Sequence, residues 1–112
     1  MVEITDDYMR TRLSQAKQYS IVILKRAAAY AELPATEKIV WEHGRRNMAL
    51  NASGELAAAC PIHDDANLSG VGIFNRDPEA VRAIMAQDPG VLAGIFAFEI
   101  HPCRGFPRSS LP

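Results

Sequence analysis

The sequence has few cysteines: Cys60 and Cys103 are the only two in 112 residues. Small secreted scaffolds usually carry more, at the spacings of a disulfide framework, so the sequence predicts two free thiols in a reducing cytoplasm. There is no CxxC pair and no Cys/His ligand spacing, which argues against a structural zinc site. The first ten residues, MVEITDDYMR, lack the apolar core of a signal peptide.

The chain also lacks long apolar runs and an excess of positive charge. No uninterrupted apolar segment approaches the roughly 18 residues that a membrane span needs. The formal net charge is -1, whereas nucleic-acid surfaces normally show a clustered basic excess. We therefore expect neither a membrane nor a nucleic acid as a partner. The length predicts one domain over residues 1–112.

Hydrophobic periodicity and turn residues predict a helix followed by a βαββαβ unit. The helix covers 4–17, capped by Thr5 or Asp6, the core covers about 19–102, and an extended proline-bearing tail follows at 103–112. Within the core we expect strands at 19–25, 56–60, 69–74 and 95–101, a helix from Pro34 to Asn51, and a helix that starts at Asp77. Two right-handed βαβ halves give the α+β class: a ferredoxin-like, four-stranded antiparallel sheet with both helices on one face.

The second face of this sheet is predicted to be apolar. The strands carry more apolar residues than one helix layer need cover: Ile21, Ile23, Val71, Ile73, Phe96 and Phe98. A large exposed apolar face usually marks an interface. We expect two copies to pack sheet against sheet as a homodimer, a dimeric α/β barrel, and leave higher oligomers open.

Two ionisable residues fall on the inward stripes of different predicted helices. His43 follows Ile39 by four residues, and Asp88 continues the stripe of Val81 and Met85. Burial of an imidazole or a carboxylate without a partner is costly, so the two are predicted to pair or to act on a ligand. A carboxylate fixes the imidazole tautomer and favours its charged form. The other ring nitrogen is then available as a general base.

Four further residues are candidates for binding a substrate. Ser69 and the backbone at Gly70 can donate hydrogen bonds to a substrate oxygen, because glycines in a strand permit close approach. Arg46 or Asn47, one turn beyond His43, can hold an anionic or carbonyl group.

Three sequence blocks resemble a known family. They are Glu42–Arg46 on the first core helix, Gly70–Phe74 on the third strand, and Ala86–Ile95 leading to Phe98-Glu99-Ile100. Together, over about 19–102, they resemble the YCII-related domain family of the dimeric α/β-barrel group. The resemblance implies that fold, a dimer, and a pocket between helices and sheet with a His–Asp pair at His43 and Asp88.

The same resemblance implies little about the reaction. Most members have no assigned activity, and a related branch eliminates HCl from a hydroxylated aromatic ring. The N-terminal helix and the tail Arg104-Gly105-Phe106-Pro107 depart from the family pattern.

Two functions from different classes stay open. The first is a cofactor-free enzyme in which His43 is the base and Asp88 its orienter, for elimination, isomerisation or lactone chemistry on a small organic molecule. The second is a non-catalytic ligand-binding or oligomerisation module, in which the same two residues form a buried polar pair. One fold supports many functions, so fold alone does not decide. A metal is not expected, because the turn His63-Asp64-Asp65 has no third distant ligand.

Overall fold

A computed structural model describes residues 1–112. Its elements, in chain order, are α1 (Asp6–Ser14), β1 (Lys17–Arg26), α2 (Ala29–Glu32), α3 (Thr36–Ala52), β2 (Leu56–Pro61), β3 (Leu68–Phe74), α4 (Pro78–Ala86), α5 (Pro89–Leu92) and β4 (Phe96–Gly105). The sheet order is β2-β3-β1-β4, and every neighbouring pair is antiparallel. This is the predicted α+β, ferredoxin-like arrangement.

The core lies between the helices and one face of the sheet. Alternate residues of β1 point into it, so Ser20, Val22 and Leu24 are buried. The buried apolar side chains are Val22, Leu24, Leu56, Phe74, Val81, Met85, Ile95 and Phe96. On the other face of β1, Ile21 and Ile23 are only partly buried within one chain.

The second face of the sheet carries fewer apolar residues than predicted. Phe96 is buried in the core, and Phe98 pairs with Leu24 and packs on the core side. The apolar side chains that share the second face are Ile21, Ile23, Val71 and Ile73. On β4 the same face carries Glu99 and His101, and Glu99 forms an ion pair of 3.3 Å with Lys25.

Several predicted boundaries shift, and prolines account for most of the shifts. Pro34 does not open the long helix, because the short helix α2 precedes it and α3 begins at Thr36. The stripe predicted to reach Asp88 ends with α4 at Ala86, since a residue before proline disfavours helical geometry. Pro89 instead opens α5, with Asp88 as its N-cap. β4 continues to Gly105, so residues 103–105 of the predicted tail belong to the sheet and pair with 17–19.

The helix α1 stands apart from the rest of the fold. Thr5 caps it by accepting a hydrogen bond from the Tyr8 amide at 3.1 Å, which confirms one of the two predicted caps. Its apolar stripe is open to solvent: Met9 and Leu13 are 47% and 53% exposed. The radius of gyration is 16.4 Å, against about 13 Å for a compact chain of this length. None of the helices combines the length and hydropathy that crossing a bilayer requires.

Candidate functional site

His43 and Asp88 meet although 45 residues separate them. The Nδ1 atom of His43, on α3, lies 2.7 Å from Oδ1 of Asp88, at the start of α5. Their side chains are 12% and 1% exposed. The predicted pairing is therefore confirmed, although Asp88 reaches it as a helix cap and not as part of a helical stripe.

The hydrogen bonds around His43 fix which ring nitrogen carries the proton. Asn47, one turn further along α3, places Nδ2 at 3.2 Å from Nε2 of His43. An ionised carboxylate only accepts, so Nδ1 of His43 carries a proton and donates it to Asp88. In the neutral ring Nε2 is then the acceptor for the Asn47 amide. The basic lone pair of the imidazole lies on Nε2.

Asp88 is held by hydrogen bonds to both carboxylate oxygens. Oδ1 accepts from His43, and Oδ2 accepts from the amides of Gly90 and Val91 at 2.9 and 3.3 Å. Burial, the largest single influence, by itself raises the pKa of Asp88. The hydrogen bond and charge of His43, with the two amides, outweigh burial and bring the pKa of Asp88 below its ordinary value.

The imidazole is also fixed by an aromatic ring. The Phe96 ring centroid lies 5.0 Å from that of His43, in an edge-to-face arrangement. Phe96 in turn packs on Gly90, where an added Cβ would lie 2.2 Å from a ring carbon. The absence of a side chain at Gly90 therefore sets the position of Phe96 and, through it, of His43.

Arg46 lies behind the His43–Asp88 pair and does not line the cavity. Its Nη2 donates to the carbonyl of Ile84 at 2.7 Å, and its Nη1 is 3.9 Å from Oδ1 of Asp88. Arg46 therefore ties α3 to the end of α4 and adds positive charge beside Asp88. Of the two alternatives one turn beyond His43, the structure brings Asn47 to the cavity.

A cavity of about 740 Å³ opens between α3 and the sheet, and His43 and Asn47 are on its wall. The predicted residues Ser69 and Gly70 line it from β3. A Cβ at Gly70 would be 2.9 Å from the carbonyl oxygen of Cys60, so close approach of β2 requires a glycine there. The turn at 63–65 forms part of the rim. No three or more His, Cys, Asp or Glu side chains are grouped as metal ligands would be.

Arg26 and Tyr30 also line the cavity, and the sequence did not predict either of them as part of the site. The guanidinium of Arg26 lies 4.6 Å from the Tyr30 ring centroid. The Tyr30 ring is 5.9 Å from that of Phe96. Arg26 reads as an ordinary strand-end charge, and Tyr30 lies on α2, which is too short to show helical periodicity. The sequence therefore held no signal for this part of the wall.

Comparisons with known proteins leave the family open. No family model matches the chain, and no curated protein matches it. Among solved structures, it is similar to 5-chloro-2-hydroxyhydroquinone dehydrochlorinase from Burkholderia phenoliruptrix AC1100 in complex with 2,5-dihydroxybenzoquinone. The TM-score is 0.49 and the identity 16%, over 74% of this chain and 90% of that one. At these values the likeness says nothing about the reaction of this chain, and membership of the YCII-related family stays a prediction.

Asp88 is expected to make stability depend on pH in the acid range. Its pKa is lower in the folded than in the unfolded chain, so its contribution is complete above the ordinary value of 3.8 and is lost as pH falls through the folded value. Urea unfolding, followed by circular dichroism because Trp41 is 70% exposed, compares the wild type with Asp88→Asn. The difference in their free energies of unfolding should shrink between about pH 5 and pH 2. A difference that stays constant would contradict the lowered pKa.

Proposed function

We propose that this protein is a cofactor-free enzyme that converts a small organic molecule in the cavity between α3 and the sheet. The observation that carries the proposal is a cavity-lining imidazole whose Nδ1 is bound by a buried carboxylate at 2.7 Å. This arrangement orients the ring, fixes its tautomer and keeps Nε2 as the basic atom.

The chemistry that suits this arrangement is proton transfer. Nε2 of His43 takes a proton from a carbon or hydroxyl of the substrate, and the buried Asp88 carboxylate stabilises the resulting imidazolium. Return of that proton at another atom gives isomerisation, and departure of a leaving group gives elimination. A positioned base of this kind contributes about 10²–10⁴-fold to the rate. Ser69 and Gly70, which line the cavity from β3, are proposed as the residues that contact a substrate oxygen.

A non-catalytic role is the second candidate, and one observation favours it. Asp88 also caps α5, so its burial has a structural use that does not involve a ligand. In this case the cavity binds a molecule without converting it, or the fold serves assembly. The half-open apolar face of Ile21, Ile23, Val71 and Ile73 supports a homodimer formed through the sheets under either candidate. Free thiols at Cys60 and Cys103 fit a cytoplasmic location.

The experiment that tests the proposal begins with a thermal-shift screen of aromatic acids, phenols, lactones and chlorinated catechols. Compounds that raise the melting temperature are then assayed for turnover. His43→Ala is expected to reduce the rate by about 10²–10⁴-fold, because it removes the base. His101→Ala is the matched control, since this histidine is exposed at the opposite face of the sheet.

Two results would contradict catalysis. One is a ligand that binds the wild type and is never converted. The other is a rate that is the same in His43→Ala as in the wild type, when both variants are shown to be folded by circular dichroism.

A further inference from the structure

Arg26 ends β1 at the cavity, and its charge has no partner within the chain. Its Nε atom is buried and makes no hydrogen bond. None of the seven ion pairs of the chain includes Arg26. Removing the Nε donor from water without giving it an acceptor is unfavourable, and neither Nη atom has an acceptor within the chain. The Arg26 guanidinium, on the cavity wall, would therefore be stabilised by a hydrogen-bond acceptor on a bound molecule.

The other two partly buried arginines each have an acceptor for part of the guanidinium, although Nη1 of Arg46 is also buried without a hydrogen bond. Three arginines are partly buried: Arg12, Arg26 and Arg46. Arg12 donates to the side chain of Gln15 at 3.2 Å, and Arg46 donates to the carbonyl of Ile84 at 2.7 Å. Only Arg26 combines partial burial, a place on the cavity wall and the absence of an acceptor.

Tyr30 fixes the direction in which Arg26 presents its donors. The guanidinium lies 4.6 Å from the centroid of the tyrosine ring, a cation–π contact that holds it against one wall of the cavity. An arginine stacked on an aromatic ring keeps its donor edge free, and that edge matches the two oxygens of a carboxylate.

We propose that Arg26 binds the carboxylate of the molecule that occupies the cavity, so that the substrate is a small carboxylic acid. This inference rests on the proposed function, whose base is His43. The rings of Tyr30 and Phe96, with centroids 5.9 Å apart, connect Arg26 to His43, since the Phe96 ring is 5.0 Å from the imidazole. Phe96 is buried behind the wall, whereas the Tyr30 ring lines the cavity beside Arg26 and offers apolar contact to a flat, aromatic acid.

The other charges around the cavity do not replace this partner. Asp64 and Asp65 are exposed on the rim, and neither is within ion-pair distance of Arg26. Oδ1 of Asp65 already accepts a hydrogen bond from the amide of Asn67 at 2.8 Å. Exposed carboxylates at the rim are screened by salt and therefore oppose entry of an anion only weakly.

Benzoate and benzamide form the probe pair, because they have the same shape and differ in charge. Their dissociation constants are measured by NMR titration for the wild type, Arg26→Gln and the control Arg82→Gln, which removes an exposed arginine outside the cavity. We expect the wild type to bind benzoate about tenfold more tightly than benzamide. The preference should disappear in Arg26→Gln and persist in Arg82→Gln.

Equal affinity for both probes in the wild type, or an unchanged preference in Arg26→Gln, overturns the inference. If Arg26→Gln does not fold, Arg26→Lys takes its place. Lysine keeps the positive charge but lacks the two parallel N–H donors of the guanidinium, so it should retain only part of the preference for benzoate. A preference undiminished in Arg26→Lys would then count against bidentate binding.

His43→Ala separates failure of this inference from failure of the proposed function. If Arg26→Gln loses the preference for benzoate and no carboxylate is converted by the wild type, the carboxylate site is supported and the proposed enzyme is refuted. Turnover that requires His43 and is indifferent to Arg26 supports the enzyme and refutes the carboxylate site.

Discussion

Asp88→Ala is expected to lower the free energy of unfolding by about 2.5–4 kcal/mol, because a hydrogen bond to a charged group contributes about 1.5–3 kcal/mol and a helix N-cap about 1 kcal/mol. The substitution leaves Nδ1–H of His43 and the amides of Gly90 and Val91 without their acceptor. It also removes the cap of α5. Urea unfolding at neutral pH measures the loss.

The chain supplies a matched control for this substitution. Asp77 also precedes a proline and caps the next helix, accepting from the Ala80 amide at 2.8 Å, but it is exposed and has no histidine partner. Asp77→Ala should therefore cost only about 1 kcal/mol. The excess loss in Asp88→Ala measures what the pairing with His43 adds. If both variants lose the same free energy of unfolding, Asp88 stabilises the fold only as a helix cap.

Gly90→Ala is expected to lower the free energy of unfolding by about 1–3 kcal/mol, as overpacking of a core does. The added methyl group would overlap the Phe96 ring, whose nearest carbon is 2.2 Å from the Cβ position. Phe96 packs against His43, so the displaced ring should also shift the imidazole resonances of His43 in NMR spectra.

Gly44→Ala is the control with the opposite sign. Gly44 lies inside α3, and a Cβ there has no atom within 4 Å. Alanine in a helix interior is more favourable than glycine by about 1 kcal/mol, so this variant should be more stable than the wild type. If Gly90→Ala instead left both the free energy of unfolding and the His43 resonances unchanged, Phe96 would not be the residue that positions the imidazole.

The sequence predicts the order of helices and strands along the chain well because several of these elements have a short-range signature. The β-branched run of β1 and the glycine-bearing run of β3 identify strands without knowledge of their partners. The Asp77-Pro78 start of α4 is equally local, since the cap and the fixed proline φ lie within one turn. Boundaries near Pro34 and Pro89 were wrong because the extra short helices α2 and α5 depend on packing.

The site also has one part that the sequence predicts and one part that depends on packing. His43 and Asp88 were predicted to pair because two inward ionisable groups require a partner. The pair is present in the structure, although Asp88 lies on a different element from the one predicted. Arg26 and Tyr30 escaped prediction because their importance depends on which wall of the cavity they form. A strand-end arginine has no local feature that separates a binding residue from a solvated one.

The hydrogen bond from Asn47 to Nε2 of His43 has a consequence for selectivity. The Asn47 carboxamide lies four residues from His43 on the same helix, so it competes with a bound molecule for the lone pair of Nε2. Before Nε2 takes a proton, this hydrogen bond must break, at a cost of about 0.5–1.5 kcal/mol unless the Asn47 amide finds another acceptor. A substrate oxygen next to the reacting atom can be that acceptor. Asn47 thereby favours molecules that carry a carbonyl or hydroxyl beside the proton that His43 removes.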